Sequence, residues 1–175
     1  MEDAQKALAE QQGKQPKSND PLGDPVILRM HGDTDMNDEL SDYDLVIVHY
    51  YNSDLQGSAS VQKNKEAYRN AITAFREELQ HRIDSGAEGR RRVRFAECDF
   101  SLEINHKFLL QPNQIVYPNV VMYLSSAPYP FNPFENENQT PEELTNYLTQ
   151  AFLKHTNFFV QRISCAEFQE KRAKN

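Results

Sequence analysis

The seven-residue run from Leu45 to Tyr51, Leu-Val-Ile-Val-His-Tyr-Tyr, most restricts the folds open to this chain. It is rich in β-branched and aromatic residues, and polar residues do not alternate with apolar ones along it. Such a run is typical of a strand that is covered on both faces, because a half-solvated strand carries a polar residue at every second position. The sequence therefore predicts a sheet with packed structure on both of its sides.

Other short apolar runs predict further strands. They lie at residues 26–30, 93–98 and 119–124. A proline-rich passage at residues 127–134 is compatible with a strand at the edge of the sheet, because proline cannot donate a backbone hydrogen bond to a neighbouring strand. The sequence therefore predicts several strands besides the Leu45–Tyr51 run.

Two helices are predicted from periodicity and capping. Apolar residues recur at three- and four-residue steps between Ser60 and Ser85, which predicts an amphipathic helix that stops at Gly86. The segment 140–143, Thr-Pro-Glu-Glu, combines a capping residue, a proline at the first helical position and a glutamate three residues after the cap. This pattern predicts the start of a closing helix.

Two shorter helical segments complete the pattern. The acidic stretch at residues 33–44 predicts one helical turn that ends near Leu40. Residues 102–110 are predicted to be helical and to end by Gln111, since Pro112 disfavours the helical conformation at the residue before it. The resulting order of strands and helices predicts an α/β fold with a central mixed sheet and helices on both faces.

The length of 175 residues suits one domain with tails. Residues 1–24 are rich in polar residues and contain prolines, which predicts a disordered or partner-dependent arm. Residues 25–153 form the predicted domain, and residues 154–175 form a C-terminal extension with partial helical character. The aromatic residues of this extension either pack back on the domain or dock on another subunit.

Charge and cysteine content exclude several classes of function. A net charge of −7 argues against binding to nucleic acid or anionic membranes, and the arginine cluster Arg90-Arg91-Arg92 with Arg94 is interpreted as a solvated loop. No apolar stretch is long enough for a transmembrane segment or a signal peptide, so a soluble, cytoplasmic protein is expected. Cys98 and Cys165 lie far apart, without the spacing of metal ligands, and no metal or cofactor is expected.

Several segments in the same order resemble the thioredoxin superfamily, especially the a-type domains of protein disulfide isomerases, over roughly residues 26–153. They are the strand, acidic helix and strand from Val26 to Tyr51, the run that ends at Asp99, and the segment that begins Tyr117-Pro118. This resemblance implies a thioredoxin-like fold. It also implies that Pro118 follows a cis peptide bond and faces the active site; the alternative is that Pro118 only shapes the turn into its strand.

The same resemblance implies that the redox motif has been lost. The loop after Tyr51 takes the place of the family's Trp-Cys-Gly-His-Cys sequence, with Leu55 and Ser58 at the two cysteine positions. Neither residue forms a thiolate or a mixed disulfide, so dithiol exchange has no chemical basis at this loop. The predicted partner-binding face therefore consists of the former redox loop and the proline turn, namely Asn52, Ser53, Asp54, Leu55, Gln56, Gly57, Ser58, Tyr117, Pro118 and Asn119.

Two other residues bear on the chemistry. In the isomerase domains a buried glutamate moves protons for the inner cysteine, and the resemblance places His49 at that position. A histidine on a buried strand is more often a hydrogen-bonded core residue than a catalyst, and the former interpretation is favoured. Cys98 lies between Glu97 and Asp99, whose carboxylates would raise the pKa of its thiol, so a small buried apolar role is expected for it.

Three functions remain open from the sequence. The first is a redox-inactive structural or adaptor subunit of a larger assembly. By fold analogy with the microtubule-associated thioredoxin-like proteins of apicomplexan parasites, its protein partner is expected to be tubulin or another cytoskeletal assembly. The second is a peptide-binding or chaperone-like module that uses the Pro118 face. The third is a redox protein with Cys98 as its single cysteine. The first is favoured, and no catalytic residue is assigned.

Overall fold

The structure of the chain is a computed structural model that describes residues 22, 26–55, 57–87, 91–108, 119–124, 127–134, 136 and 138–154. Its strands are β1 (Leu28–Arg29), β2 (Leu45–Tyr51), β3 (Val93–Asp99), β4 (Asn119–Leu124) and β5 (Ala127–Phe131). Its helices are α1 (Met36–Asp42), α2 (Ser58–Asp84), a 3-10 helix (Glu103–Phe108) and α3, described over residues 141–154.

The five described strands form one mixed sheet in the order β1-β3-β2-β4-β5. Strands β1, β3 and β2 are parallel, while β4 runs antiparallel to β2 and β5 antiparallel to β4. Strand β2 lies at the centre and every one of its residues is buried, as its unbroken apolar character predicted. The proline-rich strand β5 lies at an edge, where Pro128 and Pro130 do not interrupt a further ladder.

Both faces of the sheet are covered. On one face Ile47 and Phe95 pack with Phe75 of α2 and Phe152 of α3. The other face buries Val46, Val48 and Ala96, and Met36 and Leu40 of α1 pack against it together with Phe108 of the 3-10 helix. The predicted α/β architecture, a mixed sheet with helices on both faces, is therefore confirmed.

The main helix boundaries follow their sequence signals. Helix α2 ends at Asp84, and Gly86 has a φ of 74°, in the left-handed region that glycine adopts without strain. At the start of α3 the Thr140 N–H donates to Glu143 Oε2 at 2.8 Å, and the Glu143 N–H donates to Thr140 Oγ1 at 3.2 Å. This reciprocal pair is the predicted capping box. Helix α1 is longer than the single predicted turn and ends two residues beyond Leu40.

The segment predicted as a helix over residues 102–110 differs from the prediction. Its described part contains the 3-10 helix, in which Ile104 is exposed and Asn105 is buried, and Leu102 just before this helix is also exposed. The Asn105 side chain donates to the Asp99 carbonyl at 2.8 Å, and the Asn105 N–H donates to the Leu102 carbonyl at 2.9 Å. A polar anchor, rather than an apolar stripe, positions this segment, and such short segments often take the tighter 3-10 form.

The interpretation of the arginine cluster as a solvated loop is wrong for Arg94. This residue is 5% exposed within β3, and its Nε lies 3.1 Å from Glu39 Oε2 on α1. The guanidinium of Arg92 lies 5.0 Å from the Tyr43 ring centroid, and that of Arg94 lies 5.6 Å from it. The two arginines thus attach α1 to the sheet through an ion pair and cation–π contacts. Arg90 lies outside the described residues.

Leu22 falls within the segment predicted as an arm, yet its side chain is 4% exposed and belongs to the core. The Leu22 carbonyl accepts a hydrogen bond of 3.0 Å from the Val93 N–H. The domain therefore takes up at least Leu22 from the region before residue 25. The other residues of the predicted arm, and the extension beyond residue 154, lie outside the described residues. The predictions of a disordered arm and of a partly helical extension therefore remain untested.

Within the described part of the chain, no helix has the length and apolar composition needed to cross a membrane.

Candidate functional site

The candidate site lies where the three parallel strands end. Loops leave the carboxyl ends of β1, β2 and β3 on the same edge of the sheet, which is where open α/β sheets place their ligand sites. The described residues Asn52 to Leu55 form the loop after β2, and Asn119 pairs with Tyr50 at the end of that strand. Gln56, Tyr117 and Pro118 lie outside the described residues, so the geometry of the Tyr117-Pro118 bond remains a prediction.

Asn52 and Asp99 fix the loop after β2. Asn52 Oδ1 accepts hydrogen bonds from the N–H groups of Asp54 at 3.0 Å and Leu55 at 3.1 Å. The Ser53 hydroxyl donates to Asp99 Oδ2 at 2.7 Å, and the Ser53 N–H donates to Asp99 Oδ1 at 3.2 Å. A loop with so many internal partners holds one shape before any partner arrives.

The Asp99 carboxylate also joins this loop to the one after β3. The Ser101 N–H donates to Asp99 Oδ1 at 2.9 Å, and the hydroxyl of Ser53 lies 2.9 Å from that of Ser101. Burial raises the pKa of Asp99, but the hydrogen bonds from Ser101 and Ser53 together lower it by more, so the net shift is downward. The ionised carboxylate is the form that these bonds stabilise.

Leu55 is the most exposed large apolar residue at this edge. Its side chain is 74% exposed, although the backbone around it is anchored. A single exposed leucine is ordinary on a protein surface, but here it stands on a loop with a fixed conformation. If this loop binds a partner, as predicted, Leu55 is the main apolar side chain that the loop offers for contact.

The start of α2 bears on the missing cysteine pair. The helix begins at Ser58, with Gly57 as its cap, so Leu55 lies three residues before the first helical residue. A helix N-terminus lowers the pKa of a nearby cysteine thiol and so makes it more reactive. By this criterion Ser58 and the buried Val61, which have the same three-residue spacing as Leu55 and Ser58, are a second candidate pair of positions. The assignment of Leu55 and Ser58 remains a prediction. In either pairing the positions carry no thiol, because the sequence has no cysteine before Cys98.

A buried charged cluster lies beneath the loop, and sequence reasoning missed it. Glu97 of β3, with 2% of its side chain exposed, accepts hydrogen bonds from Arg69 Nε at 3.1 Å and Arg69 Nη2 at 3.2 Å. Lys65 Nζ lies 3.8 Å from the same carboxylate and donates to the Tyr51 hydroxyl at 3.1 Å. The signal was present in the sequence, since a carboxylate inside an apolar strand needs a cation, and Lys65 and Arg69 are one turn apart on the facing helix.

His49 adjoins this cluster, because it pairs with Glu97 across the two parallel strands. Its ring is fully buried and lies 5.1–5.3 Å from the rings of Tyr51, Tyr68 and Phe134. Burial, reinforced by the charges of Lys65 and Arg69, lowers the pKa of His49 to about 3. The structure thus places a neutral histidine within the core.

The favoured interpretation places His49 in the core as a hydrogen-bonded residue. The core location is confirmed, but the expected hydrogen bonds are absent, since neither ring nitrogen has a partner among the described residues. Aromatic rings surround the imidazole, and neither Lys65 nor Arg69 donates a hydrogen bond to it. The ring is therefore held by packing.

Cys98 lies on the opposite face of the sheet from His49 and Glu97. It is fully buried among apolar residues, beside the hydrogen-bonded hydroxyls of Tyr50 and Tyr123, which are 2.8 Å apart. Burial, with a smaller contribution from the Asp99 charge, raises the pKa of the Cys98 thiol to about 12. The described residues contain no group of histidine, cysteine and acidic side chains suited to a metal ion. Cys165 lies outside the described residues.

Comparison with known proteins gives structural likeness only. No protein-family model matches the sequence, and the curated proteins give no significant match. Human ERp44 in its zinc-bound form aligns at 15% identity with a TM-score of 0.39, over 71% of this chain and 31% of that one. A second ERp44 structure, form I, aligns at 14% identity with a TM-score of 0.38, over 71% of this chain and 29% of that one. This chain thus spans about a third of ERp44.

A single-domain structure covers more of its own length. The solution structure of the first thioredoxin domain of mouse protein disulfide-isomerase A4 aligns at 13% identity with a TM-score of 0.42, over 79% of this chain and 86% of that domain. At such identities these likenesses concern the fold alone. The mixed sheet and the helices on both faces agree with the α/β fold predicted from the sequence. The described architecture is that expected of a thioredoxin-like α/β fold.

Proposed function

We propose that this protein is a redox-inactive binding module that serves as an adaptor subunit of a larger assembly. The observation that carries the proposal is the loop after β2, which has no thiol but keeps a fixed shape through Asp99. A loop without a thiol cannot catalyse dithiol exchange, so catalysis does not explain its ordered conformation. Its ordered backbone and exposed Leu55 favour use as a contact surface, because a pre-organised loop loses little entropy on binding.

The state of Cys98 speaks against the redox alternative. A thiol with a pKa of about 12 is almost entirely protonated at neutral pH, and the thiolate is the form that attacks a disulfide. Cys98 is also buried and faces away from α2, so a substrate disulfide has no access to it. A single-cysteine mechanism therefore lacks both the nucleophile and the access.

A peptide-binding or chaperone-like module is the second candidate for the same face. In that case Pro118 and its neighbours would hold an extended peptide beside the loop after β2. The two candidates differ in stoichiometry: an adaptor has one stable partner, whereas a chaperone-like module has many transient ones. We place the adaptor first, with tubulin or another cytoskeletal assembly as the partner that the resemblance favours and cytoplasm as the compartment.

Replacement of Leu55 by aspartate tests the adaptor proposal. Full-length tagged wild type and Leu55→Asp would be expressed in the native cell, captured, and analysed by quantitative mass spectrometry, with microtubule co-sedimentation as the tubulin arm. We expect one stoichiometric partner, reduced about tenfold or more in the variant, because a charge at a central apolar contact costs several kcal/mol. Tyr147→Asp is the matched control, since Tyr147 is also exposed but lies on α3.

The proposal fails if the partner is captured equally by wild type and Leu55→Asp, or if both substitutions reduce it equally. Many substoichiometric partners, all lost in Leu55→Asp, would support the chaperone-like alternative instead. Circular dichroism of both variants confirms that a loss of partner does not come from unfolding. Because Leu55 is 74% exposed, its substitution is expected to leave the fold intact.

A further inference from the structure

Two loops at the carboxyl edge, those after β2 and β3, present apolar side chains to solvent. Leu55, Leu102 and Ile104 are 74%, 47% and 53% exposed, and together they are named the edge patch. The loops touch one another, since the hydroxyls of Ser53 and Ser101 are 2.9 Å apart. Gly32, after β1, lies so close to Ile104 that a Cβ atom would not fit between them. The three side chains therefore share one surface and are not scattered over the molecule.

Exposed carboxylates adjoin the edge patch: Asp54 directly precedes Leu55, and Glu103 lies between Leu102 and Ile104. Asp33, after β1, is also exposed and lies 3.2 Å from His31 Nδ1. Lys107 is a nearby cation, at the far end of the 3-10 helix, where its Nζ lies 4.9 Å from the Phe108 ring centroid. The surroundings of the patch are therefore acidic, in a chain whose net charge is −7.

We propose that the edge patch binds a protein segment in which apolar side chains are flanked by lysine or arginine. This inference rests on the proposed function and specifies the chemistry of the partner. The apolar side chains supply contact area, and the adjoining carboxylates select a basic segment and steer it to the surface. An acidic segment with the same apolar residues would meet like charges, which is how such surfaces reject wrong partners.

The rigidity of the loops adds to the selectivity. Asn52 and Asp99 fix the backbone on which Leu55 and Asp54 stand, and Asn105 anchors the 3-10 helix that carries Glu103 and Ile104. Anchored loops keep the apolar groups and the charges at constant spacing, so a partner does not have to order them. A segment whose basic and apolar residues match this spacing is preferred over one with the same composition in another order.

Synthetic peptides test the inference. Three peptides with the same pattern of leucines, spaced by lysine, glutamine or glutamate, would be titrated into the full-length protein and followed by fluorescence anisotropy. We expect the lysine peptide to bind about tenfold more tightly than the glutamate peptide at low salt, with a smaller ratio at high salt. Leu55→Ala should weaken the lysine peptide about tenfold. The double variant Asp54→Asn with Glu103→Gln should reduce the preference for lysine over glutamine roughly threefold.

Matched substitutions elsewhere serve as controls. Tyr147→Ala removes an exposed apolar side chain on α3, and Glu77→Gln removes an exposed carboxylate on α2; neither should change the binding. The inference is overturned if the glutamate peptide binds as tightly as the lysine peptide, if no peptide binds, or if Tyr147→Ala weakens binding as much as Leu55→Ala.

Capture of the cellular partner by the variants distinguishes this inference from the proposed function. Capture that is lost in Leu55→Asp but unchanged in the Asp54→Asn and Glu103→Gln double variant supports the proposed binding module. The same result contradicts the inference that the partner segment is basic. Capture that is unchanged in all variants contradicts both. A partner lost in Leu55→Asp and weakened in the double variant supports both.

Discussion

Glu97→Ala is expected to lower the free energy of unfolding by about 3 kcal/mol, because it removes the carboxylate that neutralises two cations beneath the candidate site. Glu97 is nearly fully buried, and Arg69 and Lys65 are arranged around it. Breaking a fully buried ion pair costs about 3–5 kcal/mol, and the low end applies here because 44% of the Arg69 side chain is exposed and can turn to water. Urea unfolding followed by circular dichroism measures the change.

Glu78→Ala is the matched control for Glu97→Ala. Glu78 pairs with Arg82 at 2.8 Å on α2, but 44% of its side chain is exposed, so its removal should have little effect on stability. Glu97→Gln keeps the shape without the charge and should fall between alanine and wild type. Equal stability of Glu97→Ala and Glu78→Ala would contradict the buried cluster.

Lowering the pH from about 6 to about 4 should destabilise wild type by roughly 2–3 kcal/mol through His49 alone. The pKa of His49 is about 3 in the folded protein, against an ordinary value of 6.5. Between these two values the unfolded chain binds a proton that the folded chain does not, so stability falls as the pH falls. The loss begins near pH 6.5 and is complete near the folded pKa. It results chiefly from burial of the ring.

His49→Leu isolates this contribution. The variant has no ring to protonate, so between pH 6 and pH 4 it should lose roughly 2–3 kcal/mol less stability than wild type. Other acid-titrating groups, such as Asp99 with its lowered pKa, are present in both proteins and cancel in the difference. His81→Gln removes an exposed histidine on α2 as a comparison. Identical pH profiles for wild type and His49→Leu would show that His49 is not kept neutral by burial.

The fold was largely predictable because its signals are local. The unbroken apolar character of Leu45–Tyr51 identified the central strand, and the 140–143 pattern identified a capping box whose two hydrogen bonds are both present. The errors arose where a contact between distant segments decides the outcome. Arg94 appeared to belong to a charged loop, but Glu39 and Tyr43 of a distant segment allow its burial. Residues 102–110 were predicted to be helical, and their described part holds a 3-10 helix that Asn105 anchors.

The candidate site was predictable in part for the same reason. The sequence indicated the loop after β2, but not the hydrogen bonds by which Asp99 holds Ser53, because these join residues 46 positions apart. The Glu97 cluster likewise depends on the position of α2 over the sheet. The sequence indicates which loop to consider, and tertiary contacts determine which of its side chains are anchored or exposed.

Disulfide reductase activity tests the central claim most directly. The full-length wild type, Cys98→Ser and Cys165→Ser would be assayed for reduction of insulin in the presence of dithiothreitol, with Ser58→Cys/Val61→Cys as a positive control that places a cysteine pair at the start of α2. The account predicts that wild type and both single variants match the rate without protein, and that the double variant exceeds it. Reduction by wild type that disappears in Cys98→Ser would contradict the account.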